Sequence, residues 1–451
     1  MSSCKRTVVL GLVLVVVVAG AKAFAFVHLR QIVSVPMRDG RSLAADLFLP
    51  AASGQWPVVV IQTPYNRLGF VPVFVTNASA DPLLKSPHYA FLVVDWRGFY
   101  GSADAAYAGS PTRGQDGHDV VQWAAAQPWC TGAVGTWGAS ALGLVQFLTA
   151  IEQPAALKGC VPIVASYRTW YESMYGGGVY LRNINGFIND YFLGGTNPAL
   201  NHPYRDAFWT ITEGLSDRDA QLTVPMLHVG GWYDHNIVFT LAESGLIQTG
   251  GGLGAAGNQK VIIGPWSHGR VGQVTQNEQS YPAAEHAGSA AALEFFDHVL
   301  RGQANGYPSQ PVIRYFRMND DAWRTAAAWP PPGTVATDYY MTIDGGLDLA
   351  APVVASTSRS YVADPASPVP TVCGAIIVET SATQGPCDLS SLESRPDVLA
   401  FSTPPLSAPL TIEGESTATL WITCTTTDTD IMVRMTPVSY THLTLPTIYS
   451  V

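Results

Sequence analysis

Charge is scarce in this chain, and basic charge is scarcer still. Of its 451 residues only 13% are Asp, Glu, Lys or Arg, with 24 basic side chains against 34 acidic ones and a formal net charge of −10. No block of lysine or arginine occurs, so nucleic acid is not an expected partner, because phosphate neutralisation needs clustered cations. Long apolar runs are missing too. The most apolar stretch, in "MSSCKRTVVLGLVLVVVVAGAKAFA", extends for about a dozen residues, short of the roughly 18 to 20 that a spanning helix needs. Lys5 and Arg6 precede it and Ala21, Ala23 and Ala25 follow it. This is the pattern of a cleaved secretory leader over residues 1–25, and it predicts a secreted or periplasmic protein with no stable membrane anchor. Cys4 precedes the apolar run, whereas a lipid-anchored protein carries its cysteine just after it.

Cysteine is equally sparse. Past the leader stand Cys130, Cys160, Cys373, Cys387 and Cys424, and no two have zinc-site spacing. In an oxidising compartment Cys373 with Cys387 is the favoured bridge and Cys130 with Cys160 the second candidate. What is abundant is hydrophobic residue (47%), glycine (42) and proline (32), the composition of a loop-rich globular protein long enough for two or three domains.

From Val33 to about Ala165, short apolar strands such as those in "WPVVVIQTPY" and "YAFLVVDWRG" alternate with glycine-rich turns and helical stretches. Continuous apolar strands suit a parallel sheet covered on both faces, so the fold class is α/β and doubly wound. Residues 166–221 break the rhythm with many aromatics and scattered asparagines and read as a helical insertion. The α/β pattern resumes at "VPMLHVGGWYDH" and "KVIIGPWSHG" and ends with the helical "SAAALEFFDHVLRG". The glycines of "GGGLGAAGN", 250–258, precede a strand instead of following one, so they read as a loop and not as a phosphate cradle. The expected catalytic domain is therefore 26–165 with 222–310. From 311 to 436 the composition shifts to threonine, proline and valine in short alternating segments, a β-rich domain expected to be a sandwich.

The stretch "GTWGASALG", 135–143, followed by "LVQFLTA", supplies a strand, a sharp turn and a helix with Ser140 at the turn. On such an elbow a serine hydroxyl stands above the sheet, and the next backbone N–H, here that of Ala141, is free to bind an oxyanion. Gly138 lets the backbone pass close at the turn, and Gly143 lets the helix pack on the strand. A serine needs a histidine base, and the base needs a carboxylate to fix its tautomer. In the chain order serine, acid, histidine, and at strand C-terminal ends, the choices are Asp234 in "GGWYDH" and His268 in "GPWSHG". Other histidines fit less well. His118 and Asp119 precede the serine, with Asp119 read as a helix N-cap; His228 lies within a strand, His235 adjoins the acid, and His286 and His298 lie on or near the last helix. In the loop after the third strand, "TPYNR", Tyr65 offers a phenolic O–H as second oxyanion donor.

Together "TPYNR", "DWRGFYGS", "QDGHDVVQWAAAQPW", "GTWGAS", "GGWYD" and "GPWSHG" resemble the cocaine-esterase-like and X-prolyl dipeptidyl peptidase serine hydrolases of the α/β-hydrolase fold. "RYFRMNDDAWR", "PVPTVCG" and "ESRPDVLAFSTPPL" resemble that family's C-terminal jelly roll. The resemblance implies a catalytic domain, a helical cap over 166–221 and a jelly roll, with Ser140 as nucleophile, Asp234 as acid, His268 as base and Tyr65 in the oxyanion hole. One departure is Ala141, where the family commonly has tyrosine; the N–H is retained and the packing beside the nucleophile changes. The other is "PVSYTHLTLPTIYSV", 437–451, which is unlike the family and resembles adapter read-through, so this tail is expected to be non-native and the jelly roll incomplete.

The expected reaction is acyl transfer to Ser140 and then to water, with no metal or organic cofactor. Trp137, Trp170, Trp232, Tyr233 and Trp266 flank the proposed positions and would favour an apolar or aromatic acyl group. Ester and amide hydrolysis share this apparatus, so an X-Pro dipeptidyl peptidase is the alternative. It would bind the substrate ammonium through cap carboxylates, for which Glu172, Asp190 and Asp206 are candidates. A secreted binding protein with an idle serine is a further alternative.

Overall fold

The computed structural model describes residues 26–76, 79–192, 197–353, 357–377 and 384–436. The leader 1–25 and the tail 437–451 lie outside these described residues. A ten-stranded sheet forms the frame. Its strands are β1 (Leu29–Pro36), β2 (Ser42–Leu49), β3 (Trp56–Thr63), β4 (Ala90–Asp95), β5 (Cys130–Ala139), β6 (Leu157–Ile163), β7 (Met226–Tyr233), β8 (Gln259–Ser267), β9 (Ile313–Arg317) and β10 (Ala322–Ala326). They lie side by side in the order β1-β2-β4-β3-β5-β6-β7-β8-β9-β10. From β4 to β9 all neighbours are parallel, while β1, β2 and β10 pair antiparallel at the two edges.

The parallel strands are apolar at nearly every position because both faces are covered. On one face Val58, Val60, Leu92 and Val134 pack against α1 (Arg113–Ala125) and α2 (Ala141–Ile151), through Val120, Val121, Ala124, Phe147 and Ile151. On the other face Val59, Ile61, Val161, Leu227 and Ile262 meet Ala291, Phe295 and Phe296 of the helix Ala287–Val299. Helix α1 starts at Thr112, whose hydroxyl accepts from the Gln115 N–H while the Gln115 side chain accepts from the Thr112 N–H. This capping box displaces Asp119 from the N-cap role expected of it. Asp119 sits inside the helix and pairs with Arg38 at 2.8 Å.

Between β6 and β7 the described residues include the cap helices α3 (Arg182–Phe192) and α4 (Ala207–Ser216), with a small core of Tyr171, Met174, Tyr175 and Trp209. After the cap, β7 leads into α5 (Ile237–Gly250). No helix among the described residues is long and apolar enough to cross a membrane.

Strands β9 and β10 lie past residue 310, yet they extend the main sheet and not a second domain. Alternation marks a strand without saying which sheet it joins. Beyond Ala326 the pairings among the described residues are Tyr340–Met341 with Leu347–Asp348 and two isolated bridges. In "ATLWITCTT" Trp421 is 91% exposed; alternating residues hold a strand only where a ladder neighbour and an apolar cover exist. Cys373 is bridged to Cys387, while Cys130 and Cys160 are free and buried.

Candidate active site

Four loops at the C-terminal ends of β3, β5, β7 and β8 carry the catalytic and oxyanion residues singled out in the sequence. Ser140 joins β5 to α2 with φ 59° and ψ −122°, a left-handed conformation that costs a non-glycine residue about 1 to 3 kcal/mol and persists only where its surroundings impose it. Those surroundings are visible. The Ser140 N–H donates to the Ile163 carbonyl at 2.9 Å, and the Ser140 carbonyl accepts from Gly143 and Leu144 at 2.8 and 2.9 Å. A Cβ at Gly138, where φ is 149°, would lie 2.5 Å from the Leu142 Cβ, and one at Gly143 would lie 2.5 Å from the Ala165 Cβ. Both glycines therefore serve the close approaches expected of them.

Beneath the turn lies Gln146, 1% exposed, which sequence reasoning missed. Its amide donates to the carbonyls of Gly138, Leu142 and Val161, and its oxygen accepts from Thr136 Oγ1 and the Val161 N–H at 3.0 Å each. The signal was a lone amide in the otherwise apolar helix "ALGLVQFLTA".

Tyr65 follows β3, and its phenol lies near the Ser140 side chain and the Ala141 N–H. Burial raises its pKa, and these two groups oppose the rise. The loop is fixed from below by Arg67, whose N–H donates to Asp95 Oδ1 at 2.7 Å and whose guanidinium pairs with the buried Asp95 and Asp46. From above, Tyr191 of α3 donates its hydroxyl to the Pro64 carbonyl at 2.9 Å. Its ring lies 6.0 Å from that of Tyr65 and 6.1 Å from that of Phe99.

Asp234, directly after β7, is fully buried, and its Oδ1 accepts from His268 Nδ1 at 2.7 Å. His268 opens the short turn after β8. Burial alone would push the Asp234 carboxyl up. The imidazoles of His268 and His235 outweigh it and hold the group well below the usual carboxylate range, so Asp234 stays ionised. The far nitrogen, His268 Nε2, is buried without a hydrogen-bond partner among the described residues. Thus the structure brings Asp234 and His268 together, and separately groups Tyr65 with Ser140 and Ala141.

The aromatic residues expected in the pocket divide differently. Trp266 is fully buried in the core beside Trp323, and Tyr233 is 1% exposed. Trp232 donates to the Phe316 carbonyl at 2.7 Å and packs on Trp329. These three sit in strand faces, because a strand end still alternates between the two covered sides of the sheet. Trp137 packs against the core that contains Leu142, and Trp170 lies parallel to Phe239 with Arg168 over its ring. Tyr65 meets Tyr191 of α3, and around Tyr191 are gathered Phe99, Tyr100 and Phe187. Of the cap carboxylates, Glu172 pairs with Arg205 at 2.6 Å, and Asp206 pairs with His202 at 2.7 Å and caps α4. Asp190 is exposed and has no ion pair among the described residues.

Comparison with known proteins is consistent over nearly the whole described chain. Residues 39–191 and 190–270 match the X-Pro dipeptidyl-peptidase (S15 family), and residues 305–441 match the X-Pro dipeptidyl-peptidase C-terminal non-catalytic domain. The chain is 28% identical to the cocaine esterase of Rhodococcus sp. (strain MB1 Bresler), an alignment covering 90% of this chain and 79% of that one. Among solved structures, an aminopeptidase from a marine sediment archaeon (Thaumarchaeota) superposes with a TM-score of 0.68 at 22% identity, over 85% of this chain and 73% of that one. An α-amino acid ester hydrolase superposes with a TM-score of 0.65 at 21% identity, over 89% and 77%. The two superpositions establish a shared α/β-hydrolase architecture.

Proposed function

The chain belongs to the X-Pro dipeptidyl-peptidase (S15) family and is a serine hydrolase, and from that premise we propose that it cleaves carboxylic esters through an acyl-enzyme on Ser140. The observation that carries this reading is the Asp234–His268 contact of 2.7 Å at the same end of the parallel sheet as the Ser140 turn. In the first step His268 Nε2 takes the Ser140 proton as Oγ bonds to the acyl carbon. The carbonyl becomes an oxyanion held by the Tyr65 O–H and the Ala141 N–H. Collapse breaks the bond to the alcohol oxygen, which takes the proton from His268 Nε2. Water then repeats the sequence on the acyl-enzyme, giving its proton to His268 and releasing the acid and free Ser140. Asp234, ionised throughout, orients the imidazole and stabilises its protonated form.

Esters are favoured over X-Pro amides because an aminopeptidase needs several carboxylates free to bind the substrate ammonium, whereas Glu172 and Asp206 are already committed to Arg205 and His202, which leaves Asp190 alone of the three cap candidates. The aromatic cluster centred on Tyr191, next to Tyr65, favours an apolar acyl or alcohol group. The reading also puts the enzyme outside the cytoplasm, on the strength of the leader pattern over residues 1–25.

The test is hydrolysis of p-nitrophenyl acetate and butyrate by the protein and by Ser140→Ala, alongside an X-Pro p-nitroanilide. The expected result is ester turnover that falls by more than about a thousandfold in the variant, with the amide cleaved far more slowly. Full turnover in Ser140→Ala overturns the nucleophile assignment. An X-Pro amide cleaved as fast as the esters replaces the esterase reading with the peptidase one.

A further inference from the structure

Asp234 Oδ1 has two imidazoles beside it, and the reaction uses one. His268 Nδ1 lies at 2.7 Å and His235 Nδ1 at 3.2 Å, with the two rings 4.7 Å apart and tilted by 42°. The second contact is within ion-pair reach but is not a hydrogen bond. His235 Nδ1 and the other carboxylate oxygen, Asp234 Oδ2, are both buried without a hydrogen-bond partner among the described residues. Asp234 itself is fully buried. An ionised carboxylate with an unsatisfied buried oxygen, next to an unsatisfied imidazole nitrogen, is an expensive arrangement to leave unfilled.

One ligand atom from each of Asp234, His235 and His268 lies within 4.8 Å of the other two. Two imidazole nitrogens and one carboxylate oxygen are the donor set of a borderline divalent ion, whereas Ca²⁺ and Mg²⁺ call for a shell of oxygens. At a metal–ligand length of roughly 2.0 to 2.1 Å, the edge of a tetrahedron is about 3.3 Å, close to the His235–Asp234 separation already present. The side chains of His235 and His268 retain 19% and 9% exposure, so the cluster is not sealed from solvent.

We propose that Asp234, His235 and His268 form a binding site for Zn²⁺ or Cu²⁺, and that filling it switches the hydrolase off. This rests on the reading of His268 as the general base. The chemistry follows from the tautomer. In the working state the His268 proton is on Nδ1, directed at Asp234, and Nε2 keeps the lone pair that receives the Ser140 proton. Coordination through Nδ1 needs the lone pair there, so the ring proton moves to Nε2. The imidazole stays neutral, but it then has no lone pair to offer Ser140. His235 supplies the second nitrogen, and Asp234 keeps its charge.

The experiment uses the full chain, stripped with EDTA, and reads two quantities. Zinc binding is titrated by competition with a zinc-chelating dye, and inhibition of p-nitrophenyl butyrate hydrolysis is measured against each protein's own rate in EDTA. The expected result is one tightly held zinc, inhibition by Zn²⁺ and Cu²⁺ but not by Mg²⁺ or Ca²⁺, and recovery on adding chelator. In His235→Phe the zinc affinity and the inhibition should both fall by roughly ten- to a hundredfold or more, since losing a ligand costs at least as much as losing an outer-shell partner. His235→Gln carries the same comparison if the phenylalanine variant does not fold. Ser140→Ala should bind zinc as the parent does, so the binding arm stands even if the esterase reading fails. Zinc bound equally by the His235 variants, or inhibition equal for Mg²⁺ and Zn²⁺, overturns the proposal.

Discussion

Replacing Glu243 by glutamine removes a charge from the joint between cap and catalytic domain, and the size of the effect can be worked out beforehand. The chain enters the cap through Ser166, Tyr167 and Arg168 and leaves it through Asp217, Arg218 and Asp219. Arg168, 8% exposed, pairs with Asp217 at 2.8 Å and with Asp219, and its Nε lies 3.3 Å from Glu243 Oε1 on α5. Tyr167 donates to Asp219 at 2.8 Å, and Glu243 Oε2 accepts from the Ser166 hydroxyl and from the Tyr167 N–H at 3.2 Å. Three carboxylates thus share one guanidinium, and Glu243 is fully buried. Burial, reinforced by Asp219 and opposed by Ser166, Tyr167 and Arg168, pushes its carboxyl from the ordinary 4.5 up to about 7.

A folded-state pKa above the unfolded one means that the native protein holds a proton the unfolded chain has released. The associated stability is complete below pH 4.5 and is lost as pH rises through about 7. At about 1.4 kcal/mol per pH unit of displacement, the loss is about 3 kcal/mol. Glutamine is neutral at every pH and keeps an oxygen for the Tyr167 N–H. The stability of the native protein minus that of Glu243→Gln should therefore fall by about 3 kcal/mol between about pH 4.5 and pH 8. Urea unfolding of both proteins at four pH values across that window measures it, and the subtraction removes groups that titrate alike in both. A difference that is flat to within about 0.5 kcal/mol, or that rises with pH, refutes the reasoning.

Two further outcomes concern the oxyanion loop. Tyr65→Phe removes one donor to the developing oxyanion and should lower kcat for p-nitrophenyl butyrate by roughly a hundred- to a thousandfold with little change in KM; a loss under threefold would remove Tyr65 from the mechanism. Tyr191→Phe keeps the ring against Tyr65 but deletes the hydrogen bond to the Pro64 carbonyl, worth about 1 kcal/mol, and should lower kcat by about fivefold. Because Tyr191 acts through Tyr65, the same change in a Tyr65→Phe background should have almost no effect; additive losses would show that it acts elsewhere.

The legible parts of this chain are those where local chemistry and strand order act together. A glycine at 138 before the serine and another at 143 after it make sense only for a strand running sharply into a helix, and the contacts a Cβ would meet there bear out that reasoning. Asp234 and His268 were legible for a related reason: in a parallel sheet the C-terminal ends of all strands face one side, so two polar residues just past two apolar strands must share that edge. The capping box at Thr112 and Gln115 was equally available in "TRGQ", yet the more conspicuous Asp119 drew the assignment. What failed was every judgement that required knowing which surface a residue meets. Trp232, Tyr233 and Trp266 are adjacent to the proposed acid and base in sequence but are core in space, because nothing in a strand's own residues says which faces are covered. Tyr191 and Glu243 were missed for the converse reason. Each belongs to a helix whose partner is more than seventy residues away, so the hydrogen bonds that give them a role are made by folding alone. The same argument explains β9 and β10. Their alternation is genuine, but the sheet they join is chosen by β8, which neither strand can specify by its own pattern.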